Sequence, residues 1–266
     1  MKTILKSVLM TCLLLAAIQS YSQVKVGIKL GGNLGRMYFD IDRDYGGEFE
    51  IKSKMGFHAG LVGDIPILEE KLSVQPSVLY SNKGYSYDLE ELIEDMLDDE
   101  GVIADIDDVE GYIRMNYNYI EVPINLVYKY KGLELGAGPY IAFGLWGKMR
   151  NDFSFEINDE EVESEDVFEE EKYDIDAVWG VVDDDRFEDF FDDEDVIDLF
   201  RAFDAGINLS VGYRLNKTLF NVGYSIGLVN MTPVYDADEF DVDEDFTENY
   251  IQKNRVFTFS VSTFFR

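Results

Sequence analysis

From Tyr117 to Gly144 the chain reads YNYIEVPINLVYKYKGLELGAGPYIAFG, and nearly every second residue is apolar. Ile120, Val122, Ile124 and Leu126 alternate with Glu121 and Asn125; after Lys129, Leu133, Leu135 and Ala137 bracket Glu134. Period-2 alternation describes a β-strand with one dry and one wet face, and Lys131-Gly132 between the two runs predicts a hairpin turn. Eight segments carry the pattern: 24–34, 55–67, 71–85, 116–130, 132–148, 202–215, 217–231 and 256–265. Most exceed ten residues. Strands of ordinary globular proteins average about five or six, whereas a tilted membrane strand takes about 9–11.

The connections alternate in length. Short links fall at 67–71, Lys131-Gly132 and Asn216-Lys217; long ones fall at about 35–54, 86–115, 149–201 and 232–255. In an up-and-down barrel, strict alternation places every long connection at one end, which is how outer-membrane barrels separate periplasmic turns from external loops. Eight strands also return both termini to the short-turn end. Pro76, Pro123 and Pro139 lie inside strands, so each is expected at a bulge or near a strand end.

The dry face includes Val24, Val26, Ile28 and Leu30, then Phe57, Ala59, Leu61 and Ile65, then Phe203, Ile207, Leu209 and Val211, with Phe220, Val222, Ile226 and Leu228 on the seventh strand. The wet face carries Lys25, Lys29, His58, Asp64, Glu121, Lys129, Glu134, Asp204, Asn208 and Arg214 among many glycines. An eight-stranded barrel has an interior just wide enough for side chains, and buried charges must be paired. Four acids facing four bases fit such an interior. A soluble barrel would reverse the faces, but a solvated face carries long polar side chains, not Gly27, Gly31, Gly60, Gly136 or Gly206. Tyr80, Tyr117, Tyr119, Tyr128, Tyr130, Tyr213 and Phe264 fall toward strand ends, where aromatic girdles are expected.

Composition sharpens the division. The chain has a net charge of −31, which excludes nucleic-acid binding through clustered phosphate contacts. Residues 36–54, 88–110, 150–201 and 232–253 hold 48 of the 54 acidic residues and 9 of the 23 basic ones. The acidity therefore belongs to the long connections, and the remainder is mildly basic. At the N-terminus, Lys2 and Lys6 precede the apolar run Ser7–Ile18, with small residues at Ser20 and Ser22. This is the pattern of a secretory signal peptide cleaved before Gln23. The run is too short for a membrane-spanning helix, which needs about 20 residues. The single cysteine, Cys12, lies within it, so the mature chain is expected to lack disulfides and thiolate chemistry.

The segments KMGFHAGLVGDIPI, KLSVQPSVLYSNKGYSY, NYIEVPINLVYKYKGLELGAGPYIAFG and FDAGINLSVGYRLNKTLFNVGYSIGL resemble, in order, the strands of the PorT-like outer-membrane β-barrel family. The most specific elements are YSNKG at Tyr80–Gly84, YIEVP at Tyr119–Pro123 and GAGPY at Gly136–Tyr140. The resemblance implies an eight-stranded barrel in a Gram-negative outer membrane. The family's namesake is linked to protein secretion across that membrane. Phe257, Phe259, Val261, Thr263 and Phe265 give the alternating C-terminal strand that outer-membrane barrels present to their assembly machinery, with Arg266 following where such chains end on an aromatic residue.

Candidate chemistry is sparse. The sole histidine, His58, is expected inside the barrel with Glu121 on the same side. Eight-stranded lipid A hydrolases instead turn a Ser-His pair toward lipid, so His58 reads as part of an interior hydrogen-bond network. Asp241, Asp243 and Asp245 match the first ligand positions of an EF-hand loop, but Phe246 replaces the turn glycine and Gln252 the bidentate glutamate. Apolar stripes at Leu89, Leu92, Ile93, Met96 and Leu97, and at Phe187, Phe190, Phe191, Val196, Ile197, Leu199 and Phe200, have helical spacing. The sum predicts an all-β, eight-stranded antiparallel up-and-down transmembrane barrel over 23–266, behind a signal peptide at 1–22, in the outer membrane. Its long acidic external loops are expected to contain short helices. Expected partners are outer-membrane lipid, the assembly machinery and, at the loops, a protein or divalent cations. No catalytic residue, cofactor or resident metal is expected. A lipid A-modifying enzyme and a soluble periplasmic ligand-binding barrel are the alternatives.

Overall fold

The computed structural model describes residues 24–41, 51–68, 71–88, 106–157, 160–163, 172–179, 181–182, 196–235 and 250–265. The strands are β1 (Lys25–Ile41), β2 (Ile51–Leu68), β3 (Leu72–Asp88), β4 (Ile106–Tyr130), β5 (Leu133–Ile157), β6 (Glu160–Glu163), β7 (Lys172–Val178), β8 (Val181–Val182), β9 (Val196–Arg201), β10 (Phe203–Leu215), β11 (Thr218–Gly227), β12 (Val234–Tyr235) and β13 (Tyr250–Phe264). Antiparallel pairing runs β1–β2–β3–β4–β5–β10–β11–β13 and returns from β13 to β1. Closure removes the free edges that lipid does not tolerate. Outside this ring, β6 and β7 pair with β5, β9 runs parallel to β7, and β8 and β12 form a separate parallel pair.

The short links lie together at one end with the first and last described strand residues, where Gly27 sits opposite Phe264. Lys131 and Gly132 have φ of 50° and 88°, the double left-handed geometry of a two-residue hairpin that follows the strand twist. Asn216 takes φ 55° in the turn between β10 and β11.

Several strands run further than alternation suggested. β4 and β5 each have 25 residues, roughly 80 Å of chain against a hydrocarbon core of about 30 Å. The ring therefore continues past the membrane as paired ribbon. Along this ribbon the outward positions become polar at Arg114, Asn116, Lys148 and Arg150 while Met149 and Phe153 are buried on the inner face, so the apolar residues change sides as the backbone ladder continues.

The apolar face points outward. Leu30, Phe57, Leu61, Leu126, Leu209 and Phe259 are each about half exposed or more, and in a membrane barrel that surface meets lipid. Phe257, Phe259 and Val261 of the last strand share it, with Phe265 just past its end. Tyr128, Tyr130 and Tyr213 point outward as expected, but Tyr117, Tyr119 and Phe264 are buried inside. Tyr119 and Tyr117 lie two and four residues from inward Glu121, so strand parity turns all three to one face. Across β4 and β5 the register shifts between Asn118 and Tyr119, leaving Leu145 as an extra residue on β5.

Inside, the end with the long connections is closed by Met37, Tyr85, Tyr117, Met149, Ile175 and Phe200. The Phe200 ring lies 4.8 Å from Tyr117 and 5.9 Å from Tyr119. A Cβ on Gly144 would meet the Phe200 ring at 2.5 Å, so glycine makes the room for this plug. Val196–Arg201 is strand, not the expected helix: its pairing to β7 overrides the helical spacing of its apolar residues. The remaining stripe residues, 89–97 and 187–191, and the aspartates at 241–245, fall outside the described residues, as does the segment 1–22.

None of Pro76, Pro123 and Pro139 sits at a bulge or a strand end. Each lies in a two-residue lapse of one ladder, with the register unchanged on either side. Between β2 and β3 bridging stops after Val62↔Ser77 and resumes at Ile65↔Val74. Between β3 and β4 it lapses from Pro76↔Ile124 to Leu79↔Glu121, and between β4 and β5 from Pro123↔Tyr140 to Leu126↔Ala137. A proline lacks the N–H for one neighbour but still fits opposite the other. The three lapses step diagonally across four adjacent strands as one continuous seam.

Candidate functional site

The interior polar side chains form two charged clusters separated by a small cavity. At the turn end, β2, β4, β5 and β10 supply Asp64, Lys129, Glu134 and Arg214. Lys129 Nζ donates to both Asp64 oxygens at 2.7 Å. Arg214 spans the two acids: Nη2 donates to Asp64 Oδ2 at 3.0 Å and to Glu134 Oε2 at 3.2 Å, while Nε donates to Glu134 Oε1. Gln75 Nε2 adds a bond to Glu134 at 3.0 Å, and the guanidinium lies 4.2 Å from the Phe264 ring centre. Arginine suits this position because its planar fork satisfies two carboxylates at once.

Toward the plug, Lys83 on β3 faces Glu121 at 2.5 Å and Asp204 at 3.9 Å. Asp204 accepts from Tyr140 Oη at 3.1 Å and from Asn254 Nδ2 at 2.9 Å. The Lys83 ammonium stands 4.8 Å from the Tyr140 ring and 5.2 Å from the Tyr119 ring. A Cβ on Gly206 would meet Tyr140 at 2.6 Å, so a small residue is required beside the tyrosine. Glu121, Ala142 and Asp204 occupy one rung of the ladder. Eight residues along β4, roughly 26 Å of strand, separate Glu121 from Lys129 in the other cluster.

Between the clusters, His58 Nδ1 meets Asn33 Oδ1 at 2.7 Å, and Asn33 Nδ2 donates to Ser81, Phe57 O and Asn82 O at 2.9–3.1 Å. Gly31 admits the imidazole, since a Cβ there would approach it to 2.5 Å. His58, Lys29, Glu121, Asn125 and Asn208 line a cavity in which water centres have about 50 Å³. That is room for roughly three to five waters. His58 Nε2, Asn125 Oδ1 and Asn208 Oδ1 have no protein hydrogen-bond partner, which suits a small wet chamber.

Of the nine residues expected in the interior network, Asp64, Glu121, Lys129, Glu134, Asp204 and Arg214 are gathered into the clusters, while His58 and Lys29 line the cavity. Lys25 is not among them. It is exposed at the first rung of β1, where the wall ends and its chain reaches water. Lys83, 2% exposed, takes the fourth cationic place. Parity from Leu79 and Ser81 marks Lys83 as inward, a signal available in the sequence. Gln75, Asn33 and Asn254 complete the network and carry no charge pattern by which to recognise them. Among the described residues, no group of three or more His, Cys, Asp or Glu side chains is arranged to hold a metal ion.

The arrangement allows no wide passage. Among the described residues, the interior carboxylates Asp64, Glu121, Glu134 and Asp204 each face a cation or a hydrogen-bond donor, and an aromatic plug covers one mouth. His58 is held by an asparagine amide oxygen and turned away from the lipid surface where a lipid substrate would lie.

A family model described as outer membrane protein beta-barrel domain matches residues 18–232. No curated protein matches the chain. Among solved structures, the chain is similar to Neisserial surface protein A, at 8% identity with TM-score 0.40, covering 90% of this chain and 96% of that one. It is similar to Ail, the attachment invasion locus protein of Yersinia pestis, solved in complex with the heparin analogue sucrose octasulfate, at 10% identity and TM-score 0.34, covering 91% and 99%. A third is OprG from Pseudomonas aeruginosa, at 11% identity and TM-score 0.23, covering 91% of each chain.

Proposed function

The chain belongs to the outer membrane protein beta-barrel domain family, and from that premise we propose that it is a closed, non-conducting and non-catalytic barrel that works as an interaction module through its external, acidic end. Family membership puts the chain in the outer membrane, as the outward apolar face requires; a soluble barrel would leave that face in water. The observation that carries the functional reading is the sealed interior, with paired charges at two levels and an aromatic plug above them. A barrel that passes nothing acts through its surfaces. Its external segments hold most of the chain's carboxylates, a surface complementary to a basic protein or to divalent cations.

Photocrosslinkers at Asp174 and Asp176, both on β7, introduced in intact cells, test this reading. A discrete protein adduct, together with no stepwise conductance in planar bilayers, is the expected result. Stepwise conductance, or an absence of adducts from every external position, would overturn it. The YSNKG, YIEVP and GAGPY elements support a PorT-like assignment within the family. A component of the secretion machinery among the adducts is what that finer assignment requires.

A further inference from the structure

The lipid-facing apolar positions stop at one level. On β4, Tyr130, Tyr128, Leu126, Ile124, Val122 and Ile120 are followed on the same face by Asn118, Asn116 and Arg114. On β5 the band ends at Trp146, with Lys148 and Arg150 beyond it; on β3 it ends at Tyr80, and on β2 at Phe57 and Met55. The Phe57, Tyr80 and Trp146 rings follow one another along the outer wall at 5.6 and 6.4 Å. This is the aromatic level that marks the edge of hydrocarbon.

Directly past these rings lies an outward groove in which water centres have about 470 Å³, compared with about 50 Å³ in the lumen. Its walls bring together Lys54 from β2, Arg114 from β4, and Lys148 and Arg150 from β5, across the β2–β5 wall. The base is a built relay: Lys54 Nζ donates to Asn82 Oδ1 at 2.8 Å, and Asn82 Nδ2 and Tyr80 Oη both donate to Asn118 Oδ1, at 2.9 and 2.6 Å. Nearby carboxylates are engaged elsewhere or by one member only. Asp174 pairs with Lys148, Asp88 with Lys52, and Asp152 accepts from Tyr112. Among the described residues, Lys54, Arg114 and Arg150 have no carboxylate partner. Three such cations, Arg114 also stacked 4.1 Å from the Tyr112 ring centre, on one patch of a chain with net charge −31 mark a place for an anion.

We propose that this groove binds the phosphorylated sugar headgroup of an outer-leaflet glycolipid of the lipid A type. Position selects the lipid over a free anion: acyl chains would lie on the apolar band while the phosphates meet the cations immediately above the aromatic rings. Arg114 and Arg150 offer planar donors to phosphate oxygens, and Asn82, Asn116 and Asn118 face the sugar. The inference rests on the membrane placement above and deepens the lipid contact of that reading.

The test uses the purified full-length mature barrel in detergent micelles and three probes: bisphosphorylated lipid A, the same lipid with its phosphates removed, and inorganic phosphate. The expected result is preferential binding of bisphosphorylated lipid A, weakened on the order of tenfold in Arg114→Gln/Arg150→Gln, and no displacement by inorganic phosphate. Equal affinity for the dephosphorylated lipid, or no loss in the variant, would overturn the proposal, and equal occupancy by inorganic phosphate would make the groove a free-anion site. Folding is checked by heat-modifiable migration. If the double variant does not fold, Lys148→Gln and the salt dependence of the wild-type chain decide: the affinity for bisphosphorylated lipid A should fall in both. A folded, lipid-embedded barrel without phosphate preference removes this inference and leaves the interaction-module reading standing.

Discussion

Lys25 and Lys83 have the same inward parity but end in opposite surroundings. Both are lysines on wet faces, yet one ends in water and the other stands 2.5 Å from Glu121 with 2% of its side chain exposed. Removing one partner of a buried pair leaves an uncompensated charge, at a cost of roughly 3–5 kcal/mol. Lys83→Met should therefore destabilise the barrel by about that amount in urea unfolding from micelles, while Lys25→Met should stay within roughly 0.5 kcal/mol. Arg214→Met should resemble Lys83→Met, because it strips both Asp64 and Glu134 of a donor; a midpoint like that of the wild type would mean that water or Lys129 replaces the guanidinium. At His58 the expectation differs. His58→Ala should leave the mass spectrum of cellular lipid A unchanged, since the ring is enclosed with Asn33; an altered spectrum would revive the enzymatic reading. The charged members of this network were legible from parity. Asn33, Gln75 and Asn254 were not, because neutral amides are equally at home on any wet surface, and only their partners reveal them.

At the level of strands, alternation located each wall element but not its end. The outward apolar run reports contact with lipid, so it stops where lipid stops, while backbone pairing in β4 and β5 continues to Ile106↔Ile157. β9 failed for the opposite reason: apolar residues at helical spacing lie in a strand because β7 offers a ladder. The proline seam was visible as three residues out of place, but its continuity across β2 to β5 needs the register. Pro123 faces Ser77 across one lapse, and Pro123→Ala restores the missing donor there. The variant should gain about 0.5–1.5 kcal/mol, and the new amide at position 123 should be protected from exchange by the Ser77 carbonyl. If that amide exchanges freely, the lapse is set by strand spacing and not by the absent N–H.

Among the described residues, the molecule separates its tasks along one axis: short turns and the first and last strand ends at one end, two ion-pair levels and a chamber inside, an aromatic plug, and a paired ribbon beyond it. The plug predicts a silent bilayer trace. Replacing Phe200, which is 3% exposed against Tyr117 and Tyr119, with alanine should still give no stepwise conductance, because the Lys83–Glu121–Asp204 level remains below it; conductance in that variant would make the plug the sole seal. The ribbon has a further consequence. Eleven residue steps separate Trp146, at the edge of hydrocarbon, from Ile157 at the tip of β5, roughly 35 Å of strand. That is a mast rather than a rim. In the orientation proposed above it lifts its tip clear of the outer-membrane surface, so a soluble partner would touch this protein while still held off from the membrane itself.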